Sequence, residues 1–387
     1  VKADRYLKVL YQGRLAGTLA LTPEKKAAFE YADEWLKDGF SISPFSLPLK
    51  KQVFIPQKDY FHGLFGVFAD SLPDAWGNIL LNRLLKKKGI NADQMDILDR
   101  LAIVGSSGMG ALTYQPEIQV AEEGSGLDLD YLSEQCQSIL ETEYAEELDR
   151  LYHLGGTSGG ARPKIMTKIG EEDWIIKFPA RHIDGEESGF MEYEYAKCAA
   201  ACKIQMSETK LFPSQKCSGY FGTKRFDRVR ADGAGETKKI HMLTAAALLE
   251  LDFEKPSLDY HSLMKLTKIL TRNNQEDMQS MFRRMCFNVF AHNRDDHSKN
   301  FSFLYDEEKD CWRLSLAYDL TYSTTYYGEH TTTVDGEGAS PGIREILAVG
   351  TAAGLGKRYC EAAAQEILEK VKQMLGRYLS CGCLWKL

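Results

Sequence analysis

The sequence predicts an α+β fold with a first part of mixed strands and helices and a mainly helical second part. Two observations carry that expectation. Up to about residue 243, short apolar runs alternate with turn signals, as in "RYLKVLYQGRLAGTLAL" and "PKIMTKIGEEDWIIKFPA". From about Thr244 onward the apolar spacing is mostly helical, interrupted by two strands in "FSFLYDEEKDCWRLSLAYD". At 387 residues, two or three units are expected, and 44% apolar with 27% charged residues is a globular balance that allows sizeable cores.

The elements follow in order. Two alternating runs around "QGR" predict an N-terminal hairpin, and "FSLPLKKQVFI" reads as extended chain punctuated by prolines. Helices are predicted in "YFHGLFGVFADSL", in "PDAWGNILLNRLLKKKG" (Pro73 near its first turn and Gly89 at its end), and in "NADQMDILDRLAIVG". The string "GSSGMGAL" lacks the spacing and the Lys of a Walker loop, so it reads as a tight turn into the strand "ALTYQP". Glu117–Asp130 is acidic and contains Gly and Ser, which makes it the best linker candidate. Helical patterns run from Leu129 to His153, and "PKIMTKI" and "WIIKFPA" form a hairpin across "GEED". "FMEYEYAKCAAAC" is helical, and "TKLFP", "CSGYFGTKRFDRV" and "KKIHML" are short strands.

Composition narrows the function classes. No stretch approaches the roughly 18 apolar residues of a membrane span, and "VKADRYLKVLY" lacks the apolar core of a secretion signal. The nine Cys are scattered apart from "CGC" at Cys381–Cys383, which fits neither zinc pairs nor a disulfide framework; a reducing cytoplasm is the expectation. A net charge of −7 does not favour direct binding to nucleic acid.

Four local features carry chemistry. "GGTSGGARPK" (Gly155–Lys164) lets backbone N–H groups approach an anion, with Arg162 and Lys164 adding charge; a flexible turn would look the same. In "WIIKFP", Lys177 interrupts an apolar strand, either snorkelling at an edge or pairing phosphates with a helix acid such as Glu192 or Glu194. In "HNRDDHSKNF", Asp295 and Asn300 have the D-x₄-N spacing of a kinase catalytic loop, where Asp orients a hydroxyl and Asn ligates Mg²⁺. A metal alternative there uses His292, Asp295, Asp296 and His297, although the spacing matches no zinc pair. In "LAYDLTYS", Asp319 can return to the loop as a second Mg²⁺ carboxylate, or simply end a strand. The order of these parts is that of a phosphoryl-transferring kinase.

With these residues in place, the chain resembles the HipA family of bacterial toxin serine/threonine kinases over essentially its whole length. The resemblance rests on "GGARPK", "WIIKFP", "KRFDR", "RDDHSKNFSF" and "LAYDLTYS", and on the N-terminal "AFEYADEWLKDG", "ISPFSLPL", "FGVFADSLPDAWGNILLNRLL" and "IVGSSGMGAL". It implies a two-lobed, protein-kinase-like fold with an N-terminal family domain at 1–116, a nucleotide-binding part of the N-lobe at 117–243 and a helical catalytic C-lobe at 244–387.

It also implies an ATP- and Mg²⁺-dependent serine/threonine protein kinase. Gly159, Gly160, Ala161, Arg162, Pro163 and Lys164 would form the phosphate loop, and Lys177 would pair the phosphates. Lys224, Arg225 and Phe226 would receive the adenine, with Asp227 beside the ribose. Asp295 would be the base and Glu192 the N-lobe helix acid. His297, Ser298, Lys299 and Asn300 would line the nucleotide and metal, and Asp319 after Tyr318 would complete the metal site. Thr157, with Ser158 beside it, matches the family's autophosphorylation position. Implied partners are a HipB-like helix-turn-helix antitoxin, DNA only through that antitoxin, and a protein substrate such as an aminoacyl-tRNA synthetase; no membrane is implied. A kinase-fold small-molecule phosphotransferase and a catalytically silent repressor subunit are the alternatives.

Overall fold

The computed structural model describes residues 6–121, 127–142, 145–180, 185–230, 237–325 and 328–379. Cys381 and Cys383 and part of the linker candidate lie outside them. The chain forms two compact units: residues 1–189, 211–243 and 247–250 make the first, and residues 190–210, 244–246 and 251–387 the second.

The first unit begins with an antiparallel five-stranded sheet of β1 (Tyr6–Tyr11), β2 (Arg14–Leu21), β3 (Ala27–Tyr31), β4 (Val53–Phe54) and β5 (Leu112–Gln115), in the order β4-β3-β2-β1-β5. The expected hairpin turns at Gln12 (φ 51°) and Gly13 (φ 77°), the two positive dihedrals that match the twist of the flanking strands. Leu7, Val9, Leu19 and Phe29 are fully buried on one face, while Lys8 points outward, the period-two pattern of a half-buried sheet.

Around this sheet lie α1 (Asp33–Asp38), α2 (Gly66–Ala69), α3 (Ala75–Lys87) and α4 (Ile97–Val104). Asp96 caps α4 reciprocally with Asp99, and Gly89 closes α3 with φ 69°. The helix expected over 60–72 shrinks to the four residues of α2. His62 and Gly63 have φ of 52° and 86°, which breaks the helical path before it starts. With Pro48 inside "FSLPLKKQVFI" and Pro56 just after it, the segment forms only the two-residue β4. In the linker candidate, the Ile118 amide donates to Ala102 and Val120 is buried, so its first part is packed chain.

Helices α5 (Leu129–Glu141) and α6 (Leu148–Gly155) then lead into β6 (Lys164–Ile169) and β7 (Glu172–Lys177), which pair antiparallel across Gly170. One apolar cluster joins Trp76, Leu80 and Leu84 of α3 to Leu151 of α6 and to Ile165, Trp174 and Ile176 of the hairpin. After α7 (Ser188–Ala201) and β8 (Thr209–Phe212), β9 (Tyr220–Lys224) pairs antiparallel with β7. Strands β10 (Arg228–Arg230) and β11 (Thr237–Lys239) pair in turn, and β12 (Met242–Thr244) leads to α8 (Ala245–Leu249).

The second unit is built on α10 (Gln275–Phe290), in which every residue from Ser280 to Phe290 is buried. It contacts α9 (Tyr260–Leu270), α11 (Ile343–Ala352) and α12 (Lys357–Leu379), so it is a central helix rather than a surface one. The expected hairpin after the "HNRDDHSKNF" stretch is β14 (Ser302–Asp306) with β15 (Cys311–Leu314). A short parallel pair was not expected: β13 (Leu258–Asp259) with β16 (Thr332–Thr333).

Among the described residues, no helix is long and apolar enough to cross a membrane. Cys136, Cys198, Cys202, Cys217, Cys286, Cys311 and Cys360 are thiols without disulfides.

Candidate active site

In the first unit, β6 and β7 place Lys164 directly opposite Lys177, so the two side chains leave the same face of the sheet. Like charges side by side are unfavourable unless anions or dipoles compensate. Lys164 does so by donating Nζ to the Gly159 carbonyl oxygen at 2.5 Å, and Lys177 Nζ lies 5.8 Å from the Phe221 ring centroid.

Before Lys164 runs the Gly-rich loop. Its roots are buried: Thr157 is 6% exposed and donates its hydroxyl to the Ser107 carbonyl at 3.1 Å, and Ser158 is 2% exposed and bonds the Gly155 carbonyl at 2.6 Å. Pro163 is also buried, and its carbonyl accepts the Phe178 amide. Gly159 and Ala161 form the exposed lip, with Gly160 and Arg162 half-buried between. Gly160 has φ 87°, and a Cβ there would stand 2.6 Å from Lys164 Nζ, so any other residue at this bend would be strained and would displace the lysine tip. The Gly160 amide donates to Asp74 Oδ2 at 2.9 Å.

The "KRFDR" stretch follows β9. Lys224 pairs with Glu172, and the Arg225 amide bonds the Asp173 carbonyl, which fixes this strand end to β7. Asp227 is 1% exposed. Its carboxylate accepts Arg225 Nε at 2.9 Å, Arg228 Nη1 at 2.8 Å and the Gly110 amide at 2.9 Å. Arg228 also donates to the carbonyls of Gly108 and Gly110. Burial opposes ionisation of Asp227, but the two guanidinium charges and the hydrogen bonds outweigh it and hold its pKa below the ordinary value. The Asp227 side chain is thus bound into the "GSSGMG" turn, while Phe226 beside it is half-buried.

In the second unit, α10 ends at Phe290 and the chain turns sharply at His292, φ 53°. Burial, with Arg294 and His330 nearby, lowers the His292 pKa to about 4, so its imidazole is neutral near pH 7. Asn293 Nδ2 bonds Asn288 Oδ1 at 3.0 Å and the Asp319 carbonyl at 3.3 Å, which ties the start of the loop to the "YDL" segment. Asn300 Nδ2 donates to the Asp295 carbonyl at 2.7 Å and closes the D-x₄-N turn. The Asp295 side chain is 58% exposed, 4.0 Å from His297 Nε2. Tyr318 donates its hydroxyl to the Lys299 carbonyl at 2.6 Å, Ser298 is buried, and Lys299 Nζ sits 4.3 Å above the Phe253 ring. Asp319 itself has φ 53°, like His292 a non-glycine residue held in the left-handed region.

Beneath the loop is a buried anchor, Asp296, which the sequence marked only as part of the metal alternative. Asp296 is fully buried. It accepts the Tyr260 hydroxyl at 2.8 Å and the Thr332 amide at 3.1 Å, and His330 Nδ1 lies 3.1 Å from Oδ2. Asn288 donates to Tyr260 in turn. Asp295 and Asp296 are neighbours in sequence with opposite environments, one presented to solvent and one consumed by the fold. Glu192 on α7 is 3% exposed, whereas Glu194 pairs on the surface with Lys197 and Arg377.

The residues present fit the groups implied. The open lip of Gly159–Arg162 and two strand lysines suit phosphates. Asn300, with its NH₂ committed to a carbonyl, offers its amide oxygen to a hard cation. The alternative four-ligand cluster of His292, Asp295, Asp296 and His297 does not form: among the described residues, no three His, Cys, Asp or Glu converge to hold a metal.

Residues 156–375, more than half of the chain, match the family model for the HipA-like C-terminal domain, and residues 7–115 match that for the HipA N-terminal domain. The chain belongs to the HipA family. Among solved HipA structures, that of Shewanella oneidensis MR-1, in a complex with HipB and its operator DNA, superposes with a TM-score of 0.71 at 17% identity, over 98% of this chain and 92% of that one. The fold is therefore the two-lobed, α+β, protein-kinase-like HipA fold. Y4mE of Sinorhizobium fredii, a protein provisionally named a kinase, is 24% identical over 355 aligned residues, covering 83% of this chain and 78% of Y4mE. All the candidate residues, from Thr157 to Asp319, fall inside the HipA-like C-terminal match.

Proposed function

We propose that this HipA-family chain is an ATP- and Mg²⁺-dependent serine/threonine protein kinase. One observation carries the reading: the Asp295–Asn300 turn is locked by its own hydrogen bond and tied to the "YDL" segment through Asn293, leaving Asp295 exposed. That is the construction expected of a base that must meet an outside hydroxyl. In this reading Asp295 orients the hydroxyl and takes its proton as the new oxygen–phosphorus bond forms and the bond to ADP breaks. Asn300 and Asp319 supply oxygens to Mg²⁺, whose charge offsets that of the transferring phosphoryl group when bound. Gly159–Lys164 and Lys177 hold phosphates, Glu192 serves as the helix acid, and Lys224–Phe226 receive the base through backbone groups. His297 and Ser298 support the loop. Positioning and charge compensation supply most of the rate.

Residues 1–116, 117–243 and 244–387 are taken as N-terminal domain, nucleotide-binding part and catalytic part. Thr157 and Ser158 are candidates for self-phosphorylation, and their burial requires the loop to open first. The setting is a cytoplasm. A HipB-like helix-turn-helix antitoxin is the partner, by analogy with the Shewanella complex, with DNA reached only through it. The substrate is a protein, an aminoacyl-tRNA synthetase being the family precedent.

The test is transfer of labelled γ-phosphate to proteins of a lysate by the wild type and by Asp295→Asn. Labelled protein with the wild type and none with the variant is expected. Label confined to a small molecule, or equal labelling by both proteins, overturns the proposal.

A further inference from the structure

The Gly-rich loop already holds an anion of its own. Asp74, the residue just before α3, accepts the Gly160 amide through Oδ2 at 2.9 Å, and the Trp76 amide donates to the Gly160 carbonyl at 3.3 Å. The Trp76 indole N–H donates to the Lys164 carbonyl at 3.2 Å, so one helix turn grips both ends of the 160–164 bend. A Cβ on Gly159 would come 3.3 Å from Asp74 Oδ2, so the carboxylate lies against the lip itself. Nor is it on a loose tether: Trp76, Leu80 and Leu84 of the same helix are buried in the core that holds Ile165 and Trp174.

Amides of a glycine loop are the donors a phosphate oxygen uses, and a carboxylate is the same kind of guest, two oxygens sharing a negative charge. We infer that Asp74 is an internal anion seated in the phosphate loop, which competes with nucleotide phosphates for the Gly160 amide and so sets the affinity for di- and triphosphates. The inference rests on the Gly loop being the nucleotide site proposed above. Binding then has two local costs: the Asp74–Gly160 bond must be surrendered, and a like charge remains beside the incoming phosphates. Asp74 acts as a positioning and affinity-setting residue and takes no part in the chemistry.

The test is calorimetric titration of the full chain with ADP plus Mg²⁺ and, in parallel, with adenosine. Wild type, Asp74→Asn and Asp74→Ala are compared. Asp74→Asn keeps an oxygen acceptor without the charge, which guards against a merely unfolded Ala variant, and thermal unfolding is read alongside. Removal of the charge is expected to tighten ADP binding by about tenfold. Adenosine, which has no phosphate, should be unaffected, and the gap should shrink as salt is raised. Weaker ADP binding by Asp74→Asn, or equal changes for ADP and adenosine, means that Asp74 only braces the loop and overturns the competition. ADP binding that is the same in all three proteins overturns it too and leaves the nucleotide site standing. ADP binding by none of them overturns both readings.

Discussion

Asn300 is bonded directly to Asp295: its Nδ2 donates to the Asp295 carbonyl at 2.7 Å, so the residue that fixes the backbone of the proposed base is also the one proposed to offer an amide oxygen to a cation. Asn300→Ala removes both contributions. Phosphate transfer is expected to fall by about a hundredfold or more, with a higher Mg²⁺ requirement, checked by rates across a Mg²⁺ titration. Unchanged rates at every Mg²⁺ concentration would contradict the assignment.

Asp296→Ala leaves Tyr260, His330 and the Thr332 amide without their shared acceptor in a fully buried place. Each abandoned donor costs about 1–3 kcal/mol, so urea unfolding should report a loss of roughly 3 kcal/mol or more. Transfer should also fall, because Asp295 is the next residue in the chain.

Asp227→Asn leaves the guanidinium groups of Arg225 and Arg228 buried against a neutral amide. A stability loss of about 3–5 kcal/mol is expected. Lys37→Ala is the control: its pair with Glu34 is solvent-exposed on both sides and should matter by no more than about 0.5 kcal/mol. Equal effects in chemical denaturation would mean that the buried cluster is not what holds the "GSSGMG" turn.

His241 is fully buried, with Nε2 2.8 Å from the Ile42 carbonyl, and burial lowers its pKa from 6.5 to about 4. The unfolded chain therefore takes up this proton near pH 6.5 and the folded chain only near pH 4. The stability tied to the neutral ring is complete above pH 6.5 and is lost as pH falls toward 4, by up to about 3 kcal/mol. His241→Gln should flatten the fall in unfolding free energy across that window; a parallel curve for the variant would refute the assignment.

What was legible in the sequence was local. The Gln12–Gly13 hairpin, the Gly89 stop of α3 and the β6–β7 hairpin across Gly170 each have their cause within a few residues, and each was read. The helix expected over 60–72 failed because its apolar spacing was right, while the backbone at His62 and Gly63 is left-handed. The site divides the same way. D-x₄-N and the strand lysines announce themselves by spacing. Asp296 meets Tyr260 and His330 across 36 and 34 residues, and Asp74 meets Gly160 across 86, so nothing nearby in sequence marks any of them. The motif "SLPDAWGN" was visible as part of the family resemblance, but a carboxylate at a helix start reads as an ordinary cap.

The shared core of α3 with β6 and β7 bears on how such a chain can change over time. The two family matches stop at Gln115 and resume at Gly156, yet Trp76, Leu80 and Leu84 on one side interlock with Ile165, Trp174 and Ile176 on the other. A volume gained in one set must be given back in the other. The two segments are therefore bound to drift together, and exchanging one of them with a distant relative would import a mismatched half of a single interior.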